Sequence, residues 1–145
     1  MSVDLRKIFG KYKTVAIVGL SKDPSKDSYK VAMYLKSQGF HIVPINPSAN
    51  EILDEKSYKS LLDLPQDVQK SLEIVNIFRP SREVPQTVDQ AIKLKNAYGR
   101  LSVVWMQLGI FNDEAAQKAE KAGLTVVMDK CIMQEHKRLS MSKIN

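Results

Sequence analysis

Short apolar runs alternate with amphipathic stretches along almost the whole of this 145-residue chain. The apolar runs are rich in valine and isoleucine and lie at 14–20, 40–45, 72–78, 101–106 and 124–128. Runs of this length and composition are typical of strands that are buried on both faces. Because a stretch long enough for a crossover helix separates most of them, the strands are expected to run parallel. The pattern predicts a single α/β domain of three layers, with a five-stranded parallel sheet and a core at about 13–138.

The composition fits a soluble domain with an anionic partner. Hydrophobic residues make up 43% of the chain, yet no apolar run reaches the length of about 18 residues that a membrane span needs. The N-terminus lacks the apolar segment of a secretory signal, and the single cysteine, Cys131, has no internal disulfide partner. These features indicate the cytoplasm and no membrane association. The net charge of +6 favours anions, and its even spread fits a phosphorylated small molecule better than nucleic acid.

Several polar residues predict where helices begin. Ser28 is expected to cap the helix between the first two strands. Asn112, followed by two acids, predicts the start of another helix. Asp129 is expected to cap a last helix that ends near residue 138 and carries His136 on its surface. Residues 139–145 would then form a loosely held tail.

The ends of the five predicted strands form the candidate binding site. In a parallel sheet covered by helices, ligands bind beyond the carboxyl ends of the strands, where the strand order reverses. The residues at these ends are mostly polar, basic or glycine, whereas the strands before them are apolar. The candidate ligand-binding residues are Gly19, Leu20, Ser21, Lys22, Ser28, Asn46, Pro47, Phe78, Arg79, Gln107, Gly109 and Cys131.

The loop after the first strand is the candidate phosphate site. Gly19 would let the backbone approach a phosphate, Ser21 offers a hydroxyl group and Lys22 offers a positive charge. The helix near Ser28 would point its positive end at the same place. The alternative is that Gly19 only forms a tight turn, since the full glycine-rich dinucleotide motif is absent.

The second and third strand ends narrow the choice of ligand. A nicotinamide-binding domain normally carries an acid after its second strand for the ribose hydroxyls, but Asn46 and Pro47 stand there instead. They suit an adenine or ribose edge, or simply form a turn. Arg79 could hold a phosphate or make a surface ion pair. Phe78 could pack on a flat base or lie in the core.

The last two strand ends give weaker signals. Gln107 and Gly109 could present amide and backbone groups to a ligand, whereas Trp105 is expected to lie in the core. Cys131 could be activated by a helix N-terminus, or it is buried and inert. The cysteine and the two histidines show no metal-ligand spacing, and no catalytic motif is present. We therefore expect neither a metal nor a catalytic residue.

Five segments, at 15–21, 43–47, 75–79, 104–109 and 126–131, follow one another at a characteristic spacing. In this order they resemble the small stand-alone CoA-binding proteins of Rossmann-like fold, which are related to the CoA-binding domain of the succinyl-CoA synthetase alpha subunit. The resemblance implies coenzyme A (CoA) across the strand ends. By position it implies phosphates at Gly19, Ser21 and Lys22, the adenosine half by Asn46 and Pro47, and the rest along Phe78, Arg79, Gln107 and Gly109. Pro80 departs from the family, whose members often carry a second arginine there.

These observations predict a protein that binds CoA or an acyl-CoA without catalysis of its own. The missing acid after the second strand agrees with this, because it would repel the phosphorylated ribose of CoA. Two alternatives stay open. One is an NADP-dependent oxidoreductase in which Arg79 or Lys22 holds the 2′-phosphate, and the other is a thiol protein in which Cys131 forms a mixed disulfide with CoA. A homo-oligomer or a protein partner also stays open.

Overall fold

The computed structural model describes residues 3–142 of the chain. Its strands are β1 (Thr14–Val18), β2 (His41–Ile45), β3 (Glu51–Ile52), β4 (Glu55–Lys56), β5 (Ile74–Ile77), β6 (Val103–Met106) and β7 (Thr125–Val127). Its α-helices are α1 (Leu5–Lys11), α2 (Asp27–Ser37), α3 (Gln66–Ser71), α4 (Val84–Tyr98), α5 (Asp113–Lys121) and α6 (Ile132–Ser142). Five strands in the order β2-β1-β5-β6-β7 pair in parallel, which confirms the predicted sheet.

The sheet separates two hydrophobic layers. On one face it packs against α1, α2 and α6, with Leu35 and Ile132 among the contacts. On the other face it packs against α4 and α5 through side chains such as Val88 and Ala119. All residues of β5 and β6 are buried, as expected for strands covered on both sides. Trp105 is fully buried in this core, as predicted.

The strand order creates a crevice at the carboxyl ends of β1 and β5. The chain passes from β1 to β2 on one side and later returns to β5 on the other side of β1. The helices that follow these two strands, α2 and α4, pack on opposite faces of the sheet. Connections that diverge in this way leave a gap where a ligand can enter. Gly19 follows β1 at this gap, and Phe78 and Arg79 follow β5.

Three elements lie outside the predicted pattern. Helix α1 begins after Asp4, whose carboxylate accepts a hydrogen bond from the Lys7 N–H at 3.2 Å. The β3–β4 hairpin turns through Leu53 and Asp54, whose φ angles of 53° and 63° are both left-handed, as in a tight two-residue hairpin turn. Helix α3 follows Pro65. Within residues 3–142, none of the helices combines the length and apolarity that crossing a bilayer would require.

Of the helix caps, the prediction for Asn112 is confirmed and that for Ser28 is wrong. Asn112 Oδ1 accepts a hydrogen bond from the Ala115 N–H at 2.9 Å at the start of α5. Helix α2 begins one residue before Ser28, whose hydroxyl oxygen is buried and accepts a hydrogen bond from the Ser21 N–H at 2.9 Å. Inside the first turn this hydroxyl can reach the loop above it, so it closes the loop instead of capping the helix.

The predicted cap of the last helix is also wrong. Asp129 has a left-handed backbone with φ of 59°, and its carboxylate accepts a hydrogen bond from the Gly109 N–H at 2.6 Å. Its charge therefore joins the loops after β6 and β7. At the first residue of α6, the Ile132 N–H instead donates to Gln107 Oε1 at 2.9 Å. A side chain from a neighbouring strand end thus takes the place of a local cap.

The later part of α6 is held by aromatic packing. His136, predicted on the helix surface, contacts the rings of Phe9, Tyr34 and Phe40 at centroid distances of 5.1, 5.5 and 5.4 Å. The Tyr34 hydroxyl and His136 Nδ1 form a hydrogen bond of 2.6 Å. These contacts fix α6 to α1 and α2, and the helix continues through Ser142. The predicted loose tail is wrong up to that residue, and residues 143–145 lie outside the described part of the chain.

Candidate functional site

Gly19 lies where β1, β2 and β5 meet. Its N–H donates to the Ile45 carbonyl at 2.9 Å, and its φ of +88° is one that glycine adopts without strain. A Cβ atom at this position would lie 2.8 Å from Arg79 Cδ and 3.0 Å from the carbonyl oxygen of Phe78. Gly19 therefore forms a tight turn and also lets the end of β5 come close to the end of β1.

The loop that follows is closed by its own polar groups. The Ser21 N–H donates to Ser28 Oγ at 2.9 Å, the Asp23 N–H donates to Ser21 Oγ at 3.0 Å, and the Ser25 N–H donates to Asp23 Oδ1 at 2.9 Å. The backbone N–H of Ser25 and then its hydroxyl lower the pKa of Asp23, so the carboxylate stays ionised. These three amides are already bonded within the loop, whereas the side chains of Lys22 and Lys26 are exposed and can meet an anion.

Asn46 connects the ends of β1 and β2. Its Nδ2 donates to the Leu20 carbonyl at 2.8 Å, and its Oδ1 accepts from the Ser48 N–H at 2.7 Å. Both polar ends of the side chain are thus used within the protein, in the turn that the sequence allowed as one interpretation. Leu20 itself is fully buried. Pro47 is exposed beside them.

The outer edge of β2 is partly covered. Pro44 lies within this edge strand, and its carbonyl accepts a hydrogen bond from the Tyr58 N–H at 3.2 Å. The Asn46 N–H in turn donates to the Tyr58 carbonyl at 2.8 Å. These two bonds bring the segment after the hairpin alongside β2, so Lys59 and Ser60 reach the end of the sheet.

Two clefts adjoin the crevice, one on each face of the sheet. The first, cleft A, has a volume of about 240 Å³ and lies on the α4 face. Arg79 in its wall directs its guanidinium at Glu83, with Nη2 2.9 Å from Oε1 and Nε 3.2 Å from the same oxygen. The ion pair is the surface alternative considered for Arg79, and it is solvent-exposed. Cleft A is lined by Val18, Gly19, Ile45, Pro47, Lys59, Ser60, Leu61, Arg79, Glu83, Gln86, Thr87 and Gln90.

The second, cleft B, has a volume of about 250 Å³ and lies on the face of α2 and α6. Cys131 in its wall is only 8% exposed, and Phe78 is half-buried beside it. Asp27 and Lys30 on α2 are its exposed charged groups. The lining residues are Asp27, Lys30, Val31, Phe78, Gln107, Leu108, Ile110, Cys131, Met133 and Gln134. This cleft is largely apolar, whereas cleft A carries two cationic side chains.

Six of the twelve predicted site residues line these two clefts. Gly19, Pro47 and Arg79 line cleft A, and Phe78, Gln107 and Cys131 line cleft B. The clefts approach one another because Phe78 and Arg79 are consecutive. Five others line neither cleft, namely Leu20, Ser21, Lys22, Ser28 and Asn46. The amide N–H of Gly109 is bonded to Asp129, and Gly109 lines neither cleft.

Sequence reasoning missed Lys59, Ser60 and Glu83 in cleft A. Lys59 and Ser60 arrive there through the backbone pairing of Tyr58 with β2, which has no signature in the sequence. Glu83 did carry a weak signal, because it lies four residues after Arg79, the spacing at which opposite charges meet on a helix.

Two larger cavities, of about 500 and 640 Å³, lie along β7 and α1. Of the twelve predicted site residues, all within the described part of the chain, none lines either cavity. We place the candidate site at clefts A and B because they lie at the switch point of the sheet.

Comparisons of the sequence and of the structure with known proteins point to one family. The sequence pattern of the family described as a CoA binding domain matches residues 13–137. Uncharacterized protein YneT of Bacillus subtilis is 32% identical over 133 residues, which make up 92% of each chain. A solved structure of a hypothetical protein from Pyrococcus horikoshii OT3 superposes with a TM-score of 0.83 at 38% identity, covering 93% of this chain and 89% of that one. The predicted Rossmann-like fold is confirmed.

Part of the chain is also similar to a much larger enzyme. Over 87 residues it is 37% identical to ADP-forming acetate–CoA ligase II of Archaeoglobus fulgidus. That stretch is 59% of this chain but only 12% of the ligase. The similarity therefore concerns one domain of that enzyme.

Proposed function

This chain belongs to the CoA-binding domain family, and from this premise we propose that it binds CoA or an acyl-CoA at clefts A and B. The observation that carries the proposal is that two clefts of different chemistry meet at the end of β5. CoA likewise has two parts, a phosphorylated adenosine diphosphate and an uncharged pantetheine arm. The cationic cleft suits the first part and the apolar cleft suits the second.

The charges around cleft A favour a phosphorylated nucleotide. Arg79 and Lys59 are exposed in its wall, and an arginine fork can bind a phosphate through two parallel hydrogen bonds. Lys22 lies exposed on the nearby loop. The end of β2 carries Asn46 and Pro47 and no acid, so a phosphorylated ribose would meet no like charge there.

The protein has no chemistry of its own under this proposal. Glu83, the acid in cleft A, is paired with Arg79. Asp27, the acid of cleft B, is exposed to solvent. Neither is arranged with a second titratable group as a general acid and base would be. We place its action in the cytoplasm, in agreement with the single, unpaired cysteine.

Native mass spectrometry of the freshly purified protein tests the proposal. CoA, acetyl-CoA and NADPH would be added singly and in competition, with Arg79→Met and the matched variant Arg82→Met alongside. Arg82 is an exposed arginine that lines neither cleft. We expect CoA to bind, NADPH not to displace it, and Arg79→Met to weaken CoA binding by roughly tenfold or more, because a hydrogen bond to a charged group is lost. No binding at high CoA concentration, or displacement by NADPH, would overturn the proposal.

A second function is favoured by the position of Cys131 in cleft B. The Cys131 thiolate would attack one sulfur of a CoA disulfide, form a protein–CoA disulfide and release the other CoA as its thiolate. The protein would then hold CoA covalently under oxidising conditions. Incubation with CoA disulfide should add one CoA mass, less two hydrogens, which is lost on reduction and absent in Cys131→Ser. If the variant takes up the same mass, this function is wrong.

A further inference from the structure

The orientation of the Gln107 side chain is fixed by its partners. The Ile132 N–H and the Asn76 amide donate to the same atom, at 2.9 and 3.2 Å. A backbone N–H can only donate, so that atom must be the carbonyl oxygen Oε1 of Gln107. The other terminal atom of the side chain is therefore the amide nitrogen Nε2, with two hydrogens to donate.

Gln107 Nε2 is the one polar atom of this residue for which the described part of the chain provides no hydrogen-bond partner. The backbone N–H of Gln107 donates to the Ile77 carbonyl at 3.2 Å, and its own carbonyl accepts from the Ile110 N–H at 2.8 Å. Among residues 3–142, no group accepts a hydrogen bond from Nε2. The residue is only 4% exposed, and it lines cleft B. The Nε2 atom itself is accessible from the cleft, so its two hydrogens are available to a ligand.

The surroundings restrict the chemistry of that ligand. Val31, Phe78 and Met133 make the nearby wall apolar. Asp27 and Lys30 carry opposite charges, so the cleft has no net attraction for an ion. The group that fits is a neutral hydrogen-bond acceptor within a mostly aliphatic chain. An amide carbonyl flanked by methylene groups has this character.

We propose that Gln107 Nε2 donates a hydrogen bond to an amide carbonyl of the pantetheine arm, and so makes the protein select CoA over its nucleotide portion alone. This inference rests on the proposed function, because it assigns one part of the same ligand to cleft B. Gln107 also organises the cleft, since Oε1 holds the start of α6 next to Cys131.

Gln107→Glu is the direct test. It keeps a carboxylate oxygen for the Ile132 and Asn76 donors but replaces the Nε2 donor with a second acceptor. Gln117→Glu adds the same charge at an exposed position on α5 that lines neither cleft, and it serves as the matched control. Affinities would be measured by calorimetry at pH 8 for two probes, CoA and adenosine 3′,5′-bisphosphate, which lacks the pantetheine arm.

We expect Gln107→Glu to weaken CoA binding by roughly tenfold or more, because the amide carbonyl of the bound pantetheine arm would then lie in the cleft without a donor. Binding of adenosine 3′,5′-bisphosphate should be unchanged. Gln117→Glu should weaken CoA binding by no more than about twofold, because solvent and salt screen an exposed charge. Unchanged CoA affinity in Gln107→Glu, or an equal loss for both probes, would overturn the inference. If the wild-type protein binds neither probe, the proposed function itself fails.

A measurement on the wild-type protein covers the case in which Gln107→Glu does not fold. With glutamine labelled with ¹⁵N in the side chain, the assigned amide signals of Gln107 should shift on addition of CoA but not of adenosine 3′,5′-bisphosphate. Signals that stay in place at saturating CoA, or that move equally with both probes, would refute the role of Nε2.

Discussion

Gly19→Ala is expected to destabilise the protein by more than its backbone angle alone explains. The φ of +88° would be strained for alanine, at a cost of about 1–2 kcal/mol. In addition, the new Cβ would lie 2.8 Å from Arg79 Cδ and 3.0 Å from the Phe78 carbonyl oxygen. Relief of such crowding moves side chains and backbone at a cost of about 1–3 kcal/mol. Together these terms predict a loss of about 2–5 kcal/mol in the free energy of unfolding.

Gly39→Ala provides the matched control. Gly39 has a φ of +89°, almost the same as Gly19, but a Cβ there would meet nothing within 4 Å. This variant should therefore show only the backbone cost, about 1–2 kcal/mol. The difference between the two variants isolates the close approach of β1 and β5.

Urea denaturation followed by tryptophan fluorescence measures both free energies. The chain has one tryptophan, the fully buried Trp105, so the signal reports on the core. CoA affinity should also fall in Gly19→Ala but not in Gly39→Ala, since the new methyl group displaces Arg79. If the two variants lose the same stability, to within the error of about 0.5 kcal/mol typical for independent sites, the reasoning about the close approach is wrong.

Three further predictions concern polar contacts. Glu83→Gln should release Arg79 and strengthen CoA binding by roughly threefold, while the stability changes by less than about 1 kcal/mol because an exposed ion pair contributes little. Weaker CoA binding in calorimetry would show instead that Glu83 positions Arg79 for the ligand. Asp23→Asn should be less stable than the wild type above pH 3.8, and the difference between their urea midpoints should shrink as the pH falls through the lowered pKa of Asp23 in the folded protein. A difference that persists in acid would contradict this. Asn112→Ala should lose about 1 kcal/mol in thermal or urea unfolding, since the Ala115 N–H loses its cap; no loss would mean that water replaces it fully.

The strands could be predicted from the sequence because burial on both faces leaves a continuous apolar run. Their ends could not, and β1 shows why. The predicted run extended to Leu20, but the left-handed φ of Gly19 ends the strand at Val18. Helix α1 buries only Ile8 and Phe9, too few side chains for a helical period to be recognised. The β3–β4 hairpin depends on Leu53 in a conformation that leucine rarely adopts.

The candidate site was predictable as a place but not as a set of contacts. The rule that ligands bind at strand ends led to Gly19, Arg79 and Gln107 without any pairing information. The division into two clefts depends on which face of the sheet each helix covers, and the sequence does not state this. The free donor of Gln107 depends on partners that are 25 and 31 residues away in the chain.

The covering of β2 by Tyr58 has a consequence for self-association. An open edge strand normally offers its N–H and C=O groups to any other chain, which is a common route to aggregation. Fewer such groups are available on β2, because Pro44 has no N–H and its carbonyl already accepts a hydrogen bond from Tyr58. The strand that leads into the wall of cleft A is thus a poor template for a foreign strand, so it can stay at the surface without recruiting one.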